Sequence, residues 1–225
     1  VLGNGYDALI DDIHAKHPHH TQVILRFDKT SPVVETAIEK YTRNAIRCGY
    51  LASRGLNLNG IKQFYVKVDD RQEKLNVMLE ILESSVSSSA QVIIYVSDYR
   101  QRKQIAQQLK QDYPISYIDN NIKVKEEEKL EQLEKFQRGS TRFLLSDDYT
   151  MTHRKDASIV HLVINYHLPY SPERYITRVG RIGRYGKVGT VINFKVGNDN
   201  TVDKIRQYYQ TEIALLEPNK LSDLW

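Results

Sequence analysis

Short continuous runs of apolar residues alternate along this chain with longer stretches whose apolar residues recur at helical spacing. Runs of four to eight residues rich in β-branched and aromatic side chains are typical of strands buried on both faces of a sheet. Five such runs predict strands: 21–27 (TQVILRF), 91–96 (QVIIYV), 142–146 (RFLLS), 159–166 (IVHLVINY) and 189–196 (GTVINFKV).

Helices are predicted between these runs. Residues 71–85 carry apolar side chains at positions 75, 78, 79, 81 and 82, which share one helical face. Residues 98–111 follow the second strand and predict another helix. A third is predicted at 125–139 (KEEEKLEQLEKFQRG), where Gly139 lies just past the last periodic residue and is expected to cap the C-terminus.

A fourth helix is marked by its start. Residues 171–181 (SPERYITRVGR) begin with Ser171, a favoured N-cap residue, and Pro172, which is favoured at the first helical position. Strands that alternate with helices in this way predict an α/β fold with a parallel sheet and helices on both faces.

A domain boundary is expected within residues 52–63 (ASRGLNLNGIKQ), which are rich in Gly, Asn and Ser and have no clear period. Only one predicted strand and two helical stretches precede it, too little for a domain, whereas a complete strand and helix series follows. We therefore expect residues 1–51 to be the C-terminal tail of a first domain, residues 52–62 a linker and residues 63–225 the second domain.

Composition narrows the class of protein. Of 225 residues, 40% are hydrophobic and 27% charged, as in globular proteins with a real core. No apolar run approaches the roughly 20 residues that span a bilayer, so no membrane association is expected. The single cysteine, Cys48, fits a reducing compartment. The chain begins without Met or a signal-like segment, so we expect it to be part of a longer intracellular protein.

The most distinctive chemistry lies in residues 175–189 (YITRVGRIGRYGKVG), where Arg178, Arg181 and Arg184 are spaced three residues apart among glycines. Planar guanidinium groups bind phosphate in a bidentate manner and stabilise charge on a transferring phosphoryl group. A surface ladder of ion pairs with nearby acids is the alternative. The net charge of +4 is compatible with a polyanionic ligand without requiring one.

Residues 175–189 resemble the sixth motif of DEAD-box RNA helicases, H-R-x-G-R-x-G-R-x-G-x-x-G. The resemblance covers nearly the whole chain and is closest to translation initiation factor 4A and its near relatives. Residues 60–75 resemble the start of the second RecA-like domain, 136–148 the strand before the fifth motif, and 163–184 the run into the sixth; the ending, 205–225, also fits. The implied fold is an α/β, RecA-like parallel sheet preceded by part of a first RecA-like domain.

The resemblance implies that ATP and RNA bind in the cleft between two such domains. Arg181 and Arg184 correspond to the family's catalytic arginines, which contact the γ-phosphate. The implied nucleotide-binding residues are Arg178, Asp148 and Asp156, and the implied RNA-binding residues are Ser97, Arg100 and Ser146.

Several positions depart from the family pattern. Thr177 replaces the His of the sixth motif, and Lys129 replaces an Arg in the helix at 125–139. The fifth motif, normally T-D-x-x-A-R-G-x-D, becomes 146–158 (SDDYTMTHRKDAS), which has no A-R-G. Asn121-Ile122 replaces His-Gly, and Phe27-Asp28-Lys29 replaces Ser-Ala-Thr.

Two further motifs are missing from these 225 residues: the phosphate-binding loop G-x-x-x-x-G-K-[ST] and the D-E-A-D carboxylates that hold Mg²⁺. ATP and Mg²⁺ are therefore expected only where first-domain motifs are present elsewhere in the protein, and this chain alone is not expected to be an enzyme. No separate metal site is expected.

Three hypotheses follow for function. The first is a degenerate DEAD-box helicase-like protein with weak or no ATPase activity that serves as a binding module or scaffold in an RNA-related complex. The second is part of an active ATP-dependent RNA helicase of the initiation factor 4A type, and the third is an unrelated α/β nucleotide enzyme. The resemblance implies RNA and a helical-repeat, HEAT-like protein as partners, and a cytoplasmic or nuclear location in a eukaryotic cell.

Overall fold

The computed structural model describes residues 5–18, 20–27, 31–47, 58, 60–84, 90–118, 124–148, 160–183 and 187–217. The chain forms two compact units, Val1–Gly55 and Leu56–Trp225. The expected domain boundary, 52–62, brackets the junction of the two units, although the first strand of the second unit already begins at Ile61.

The first unit contains two helices, α1 (Asp7–Lys16) and α2 (Pro32–Tyr41). Asp11 of α1 joins them, because it accepts a hydrogen bond from the Tyr41 hydroxyl (2.8 Å) and pairs with Lys40 (2.5 Å). The predicted strand at 21–27 is wrong. These residues have no strand partner among the described residues. Val23, Leu25 and Phe27 are half-buried, whereas the Ile24 side chain is 81% exposed.

The second unit is built on a parallel sheet of seven strands in the order β3-β4-β2-β5-β6-β1-β7, which confirms the expected architecture. The strands are β1 (Ile61–Val68), β2 (Gln91–Tyr95), β3 (Ile115–Tyr117), β4 (Phe143–Ser146), β5 (Val160–Asn165), β6 (Gly189–Val196) and β7 (Ala214–Leu215). The helices are α3 (Arg71–Ser84), α4 (Tyr99–Asp112), α5 (Glu126–Gln137), α6 (Pro172–Val179) and α7 (Thr201–Tyr209).

Strand side chains alternate between two hydrophobic cores, as the pleat requires. Val92, Ile94 and Leu145 pack with α3 and α4 on one face of the sheet. Ile93 and Leu144 pack with α5, α6 and α7 on the other. Helices therefore cover both faces of the sheet. A polar side chain at the end of a strand lies on either the α3–α4 face or the α5–α7 face, according to its position in the alternation.

Both predicted helix caps are confirmed. The hydroxyl of Ser171 accepts a hydrogen bond from the backbone N–H of Arg174 (3.4 Å), and Pro172 occupies the first turn of α6. At the end of α5, Gly139 adopts a left-handed φ of 76°. Its N–H donates to Phe136 and that of Ser140 to Lys135, which is the Schellman arrangement.

Glycine at the start of β6 lets the chain pack against the turn after α6. A Cβ atom on Gly189 would lie 2.5 Å from Cβ of Ile182 and 2.9 Å from the backbone nitrogen of Gly183. Neither atom belongs to the far end of a flexible side chain, and Ile182 is itself buried in the α5–α7 core. The backbone can therefore pass this close to Ile182 only because residue 189 has no side chain.

We expect Gly189→Ala to lower the free energy of unfolding by about 1–3 kcal/mol, the usual cost of overpacking. Urea denaturation followed by circular dichroism measures the change. Gly60→Ala is the matched control, because its Cβ would come no closer than 3.8 Å to another atom, and its stability should change by less than about 0.5 kcal/mol. Equal midpoints for the two variants would contradict the close approach.

Candidate functional site

The candidate site lies where the central strands end. In an open parallel sheet, ligands bind beyond the carboxyl ends of the strands. Here the ends of β2, β4 and β5 bring together Ser97, the acids Asp147 and Asp148, and His167. The backbone N–H of Ser97 donates to Nδ1 of His167 (3.1 Å), which ties the β2 and β5 ends to each other.

Strand alternation sends the two consecutive acids to opposite faces of the sheet. Leu145 belongs to the α3–α4 core and Leu144 to the α5–α7 core, so Asp147 continues towards the first face and Asp148 towards the second. Each carboxylate meets a buried arginine there: Arg102 of α4 pairs with Asp147, and Arg178 of α6 pairs with Asp148.

Arg178 is the centre of the site. Its side chain is 1% exposed, and its Nε and Nη2 atoms donate to the two carboxylate oxygens of Asp148 at 2.5 and 2.8 Å. Nη1 donates to Oδ1 of Asn165 (2.9 Å) and to the carbonyl oxygen of His167 (2.6 Å). The guanidinium lies 4.7 Å from the ring centroid of Tyr95. Burial raises the pKa of Tyr95 to about 12, against the effect of the nearby Arg181 and Arg178 charges.

A chain of buried hydrogen bonds runs from Arg178 across three strands on the α5–α7 face. Nδ2 of Asn165 donates to Oδ1 of Asn193 (2.8 Å), whose own Nδ2 lies 3.4 Å from the Tyr175 hydroxyl. That hydroxyl donates to Gln63 (2.7 Å), and Nε2 of Gln63 donates to the Thr211 hydroxyl (2.8 Å). Burial raises the pKa of Tyr175, so it remains a neutral donor.

Arg102 forms the second buried arginine site. It is 2% exposed, and its Nη1 donates to the carbonyl oxygen of Val96 (2.6 Å), while Nη2 lies 3.1 Å from Oδ2 of Asp147. Arg102 thus joins the end of β2 to the end of β4 from the opposite face. The carboxyl ends of these neighbouring strands are held by a cation on each side of the sheet.

Lys74 is buried and His167 is half-buried beside this edge, and both side chains have shifted pKa values. Burial lowers the pKa of His167 to about 4, and that of Lys74 to about 8. The Lys74 ammonium lies 4.4 Å from the ring centroid of Tyr166. A neutral His167 fits the geometry, because its Nδ1 accepts the hydrogen bond from Ser97.

The remaining sequence-predicted residues fall in different environments. Ser97 and Arg100 are exposed at the end of β2 and the start of α4. Ser146 is fully buried and its hydroxyl donates to the carbonyl oxygen of Asp147 (3.3 Å), so RNA contact is not retained for Ser146. Arg181 is half-buried in the turn after α6. Arg184 and Asp156 lie outside the described residues.

Other predicted departures from the family pattern are also outside the described part of the chain, namely Asn121-Ile122 and Asp28-Lys29. Within the ranges that the structure describes, no group of three or more His, Cys, Asp or Glu side chains could hold a metal ion. No helix among the same residues is long and apolar enough to cross a membrane.

The sequence hypotheses did not include the polar residues Asn165, Asn193 and Gln63, or Arg102 and Asp147. A signal was present for the first two, because each lies between an isoleucine and an aromatic residue in a predicted strand, Asn165 between Ile164 and Tyr166 and Asn193 between Ile192 and Phe194. A buried polar side chain needs a hydrogen-bond partner, so such a residue marks a site where strands share a polar contact.

A comparison with protein-family models matches residues 73–186 to the helicase conserved C-terminal domain. The chain belongs to this family. Initiation factor eIF4A of Candida glabrata, described as an ATP-dependent RNA helicase, is 33% identical over 227 aligned residues, covering 100% of this chain and 56% of its own length. The chain therefore spans about half the length of the curated relatives it matches, and it is a DEAD-box helicase C-terminal domain related to eIF4A.

Solved structures share the RecA-like fold at low identity. Dbp5 from S. cerevisiae bound to RNA and ADP BeF3 superposes with a TM-score of 0.74 at 22% identity, covering 98% of this chain and 57% of Dbp5. A Dbp5 variant bound to a Gle1 variant and IP6 gives a TM-score of 0.78 at 21% identity, with coverage of 98% and 57%. The RecA-like α/β fold expected from the sequence is confirmed.

Arg178 and Asp148 should depend on each other for stability. Arg178→Gln leaves the half-buried Asp148 carboxylate without its bidentate cation, so we expect a loss of about 3 kcal/mol in the free energy of unfolding, the lower end of the range for breaking a buried pair. The double variant Arg178→Gln/Asp148→Asn should lose less than the sum of the two single variants, because no uncompensated charge remains. Urea denaturation of all four proteins measures the coupling, and additive losses would rule out the pair.

His167 should make folding stability depend on pH. Its pKa in the folded state, about 4, lies below the ordinary value of 6.5, so the unfolded state binds more protons between these limits. Its contribution is therefore complete above pH 6.5 and is lost as the pH falls towards 4. In His167→Gln, an amide oxygen accepts from Ser97 without titrating.

We expect this variant to lose less stability than the parent between pH 6.5 and pH 4 in thermal melts. The carboxylates of the chain titrate equally in both proteins, so the difference between the two curves reports on His167. Parallel stability curves for the two proteins over this range would contradict a His167 that is neutral in the folded state.

Proposed function

We propose that the protein is a degenerate DEAD-box helicase-like binding module, a scaffold in an RNA-related complex with weak or no ATPase activity. The observation that carries this proposal is that two departures from the family pattern, Thr177 and Lys129, are each bonded to neighbours within their own domain, as is Asp147 in the stretch that replaces the fifth motif. Side chains held in this way stabilise the fold instead of meeting ATP, RNA or a second domain.

Thr177 replaces the histidine of the sixth motif. Its hydroxyl donates to the carbonyl oxygen of Glu173, one turn earlier in the same helix, at 2.9 Å. The side chain is exposed, but it is shorter than histidine and lacks an imidazole donor. A local bond of this kind satisfies the hydroxyl without any group from another domain.

Asp147 stands where the fifth motif has threonine before its aspartate, and Lys129 stands where the family has an arginine. The Asp147 carboxylate pairs with the buried Arg102. The Lys129 ammonium pairs with Glu126 at 2.7 Å, and its side chain is only 12% exposed. A lysine also cannot reproduce the bidentate phosphate contact of an arginine. The side chains at these positions are engaged within the domain, which favours a binding module over an enzyme driven by nucleotide hydrolysis.

The second candidate is part of an active ATP-dependent RNA helicase. It is favoured by the match to eIF4A along 100% of this chain and by the retained Arg178, Arg181 and Arg184. In that case ATP and Mg²⁺ would bind through a phosphate-binding loop and D-E-A-D motif outside these 225 residues, with Arg181 and Arg184 at the γ-phosphate. Asp148 and Arg178 would then position the nucleotide side of this domain.

RNA is the nucleic-acid partner that we propose, with Ser97 and Arg100 at the exposed β2 end in contact with its backbone. We also propose a protein partner of helical-repeat, HEAT-like type. Solved relatives support the general mode, because Dbp5 was captured with RNA in one structure and a Dbp5 variant with a Gle1 variant in another. An intracellular location, cytoplasmic or nuclear, in a eukaryote follows from these partners.

RNA-stimulated ATP hydrolysis by the full-length protein separates the two candidates. The binding-module proposal expects hydrolysis at background, unchanged by Arg181→Ala. An active helicase expects turnover that Arg181→Ala lowers by about 100-fold to 1,000-fold, the usual cost of losing one charge-stabilising donor. Arg138→Ala, at an exposed arginine that pairs with Glu134 of α5, is the matched control. Turnover that depends on Arg181 would falsify the binding-module proposal.

A further inference from the structure

One large aromatic ring stands out at the candidate site because it is exposed. Tyr170 lies in the loop between β5 and α6 and is 76% exposed, the highest value for a large hydrophobic side chain among the described residues of the second unit. Isolated exposed hydrophobic residues are common on protein surfaces. Three further observations distinguish Tyr170 from such a residue.

The first observation is that the loop is anchored to the domain on both sides of the ring. Pro169 before the ring is buried, and Ser171 after it caps α6. Pro172 at the first turn of α6 has its φ fixed by the pyrrolidine ring, and its carbonyl oxygen accepts a hydrogen bond from the Tyr209 hydroxyl (2.7 Å). A ring presented on an anchored loop loses little conformational entropy on binding, which is the property of a binding anchor.

The second observation is a cation stacked on the ring. The guanidinium carbon of Arg174 lies 4.5 Å from the ring centroid of Tyr170. The Arg174 side chain is 42% exposed, and its Nη1 lies 3.6 Å from Asp148, beyond hydrogen-bond distance. The charge of Asp148 is already matched by the bidentate bond from Arg178. Arg174 therefore retains donors for an anionic group beside the ring.

The third observation is the polar surroundings. The neighbours of Tyr170 along the loop are the buried Pro169, the half-buried Leu168, and the polar residues Ser171 and Glu173. A specific protein interface buries about 800 Å² on each partner, which one ring in a polar surface does not offer. A planar aromatic group with a phosphate attached matches one ring and one guanidinium.

We propose that Tyr170 and Arg174 form a stacking site for a nucleobase, with the base on the ring and its phosphate at the guanidinium. The base comes either from single-stranded RNA or from a free nucleotide. This inference rests on the proposed function in one respect: RNA binding, proposed above, makes RNA the expected source of the base. Stacking of a base on an aromatic side chain contributes about 1–3 kcal/mol, irrespective of the base.

The test compares Tyr170→Leu and Tyr170→Phe with a matched control, Tyr208→Leu. Tyr208 is also an exposed tyrosine (53%), but it lies on α7 and packs at right angles against Tyr209. Fluorescence anisotropy measures binding of the 225-residue chain to a labelled oligo(U) and to an abasic oligomer of equal length. Calorimetry measures ADP binding in a parallel arm, and thermal melts check that each variant is folded.

We expect Tyr170→Leu to weaken oligo(U) binding about five-fold or more, because stacking of one base is worth at least about 1 kcal/mol. Tyr170→Phe should retain the affinity, Tyr208→Leu should match the parent, and the abasic oligomer should bind the parent and Tyr170→Leu equally. If Tyr170→Leu weakens ADP binding alone, the proposal holds with the free nucleotide as the source.

The proposal is overturned if Tyr170→Leu binds both ligands like the parent, or if it loses equal affinity for the abasic oligomer. It is also overturned if the parent binds neither ligand. These results differ from those that would overturn the binding-module proposal, which is tested by ATP hydrolysis and its dependence on Arg181. If the parent binds RNA in a way that does not depend on Tyr170, the stacking site is overturned and the binding-module proposal stands.

Discussion

The bidentate bond between Arg178 and Asp148 is the interaction on which the rest of the site depends. It joins a helix to a strand end where the guanidinium is fully buried and the carboxylate half-buried, so that either charge without its partner would be costly. Asn165 and the carbonyl oxygen of His167 complete the coordination of the guanidinium. Arg178, the buried arginine of the sixth motif, is thus a structural residue first, because all three of its guanidinium nitrogens donate to groups of its own domain.

Structural features that depend on residues close together in the sequence were predicted correctly, whereas features that depend on distant residues were not. Buried strands, the Ser171 cap and the Gly139 cap depend on nearby residues, and these predictions were confirmed. The strand at 21–27 depended on a pairing partner, which no local pattern can supply. Short edge strands such as β3 and β7 were missed because two or three residues carry no period.

The site was predicted less completely than the fold, for a physical reason. Family resemblance identified Arg178 and Asp148 separately as nucleotide-binding residues, but it did not show that each is bonded to the other. Ser146 was assigned to RNA through the family resemblance, although it is the last residue of β4 and its side chain is fully buried. Pairs such as Arg102 and Asp147 become visible only when two elements distant in sequence are brought to the same sheet edge.

The consecutive acids at the end of β4 also constrain how this chain can change in evolution. Because side chains alternate along a strand, the loss or gain of one residue before Asp147 would exchange the faces of the two acids. Each carboxylate would then point at the wrong helix layer, and both Arg102 and Arg178 would lose their partners together. Length at this point of the chain is therefore expected to be more strictly preserved than the identity of either acid.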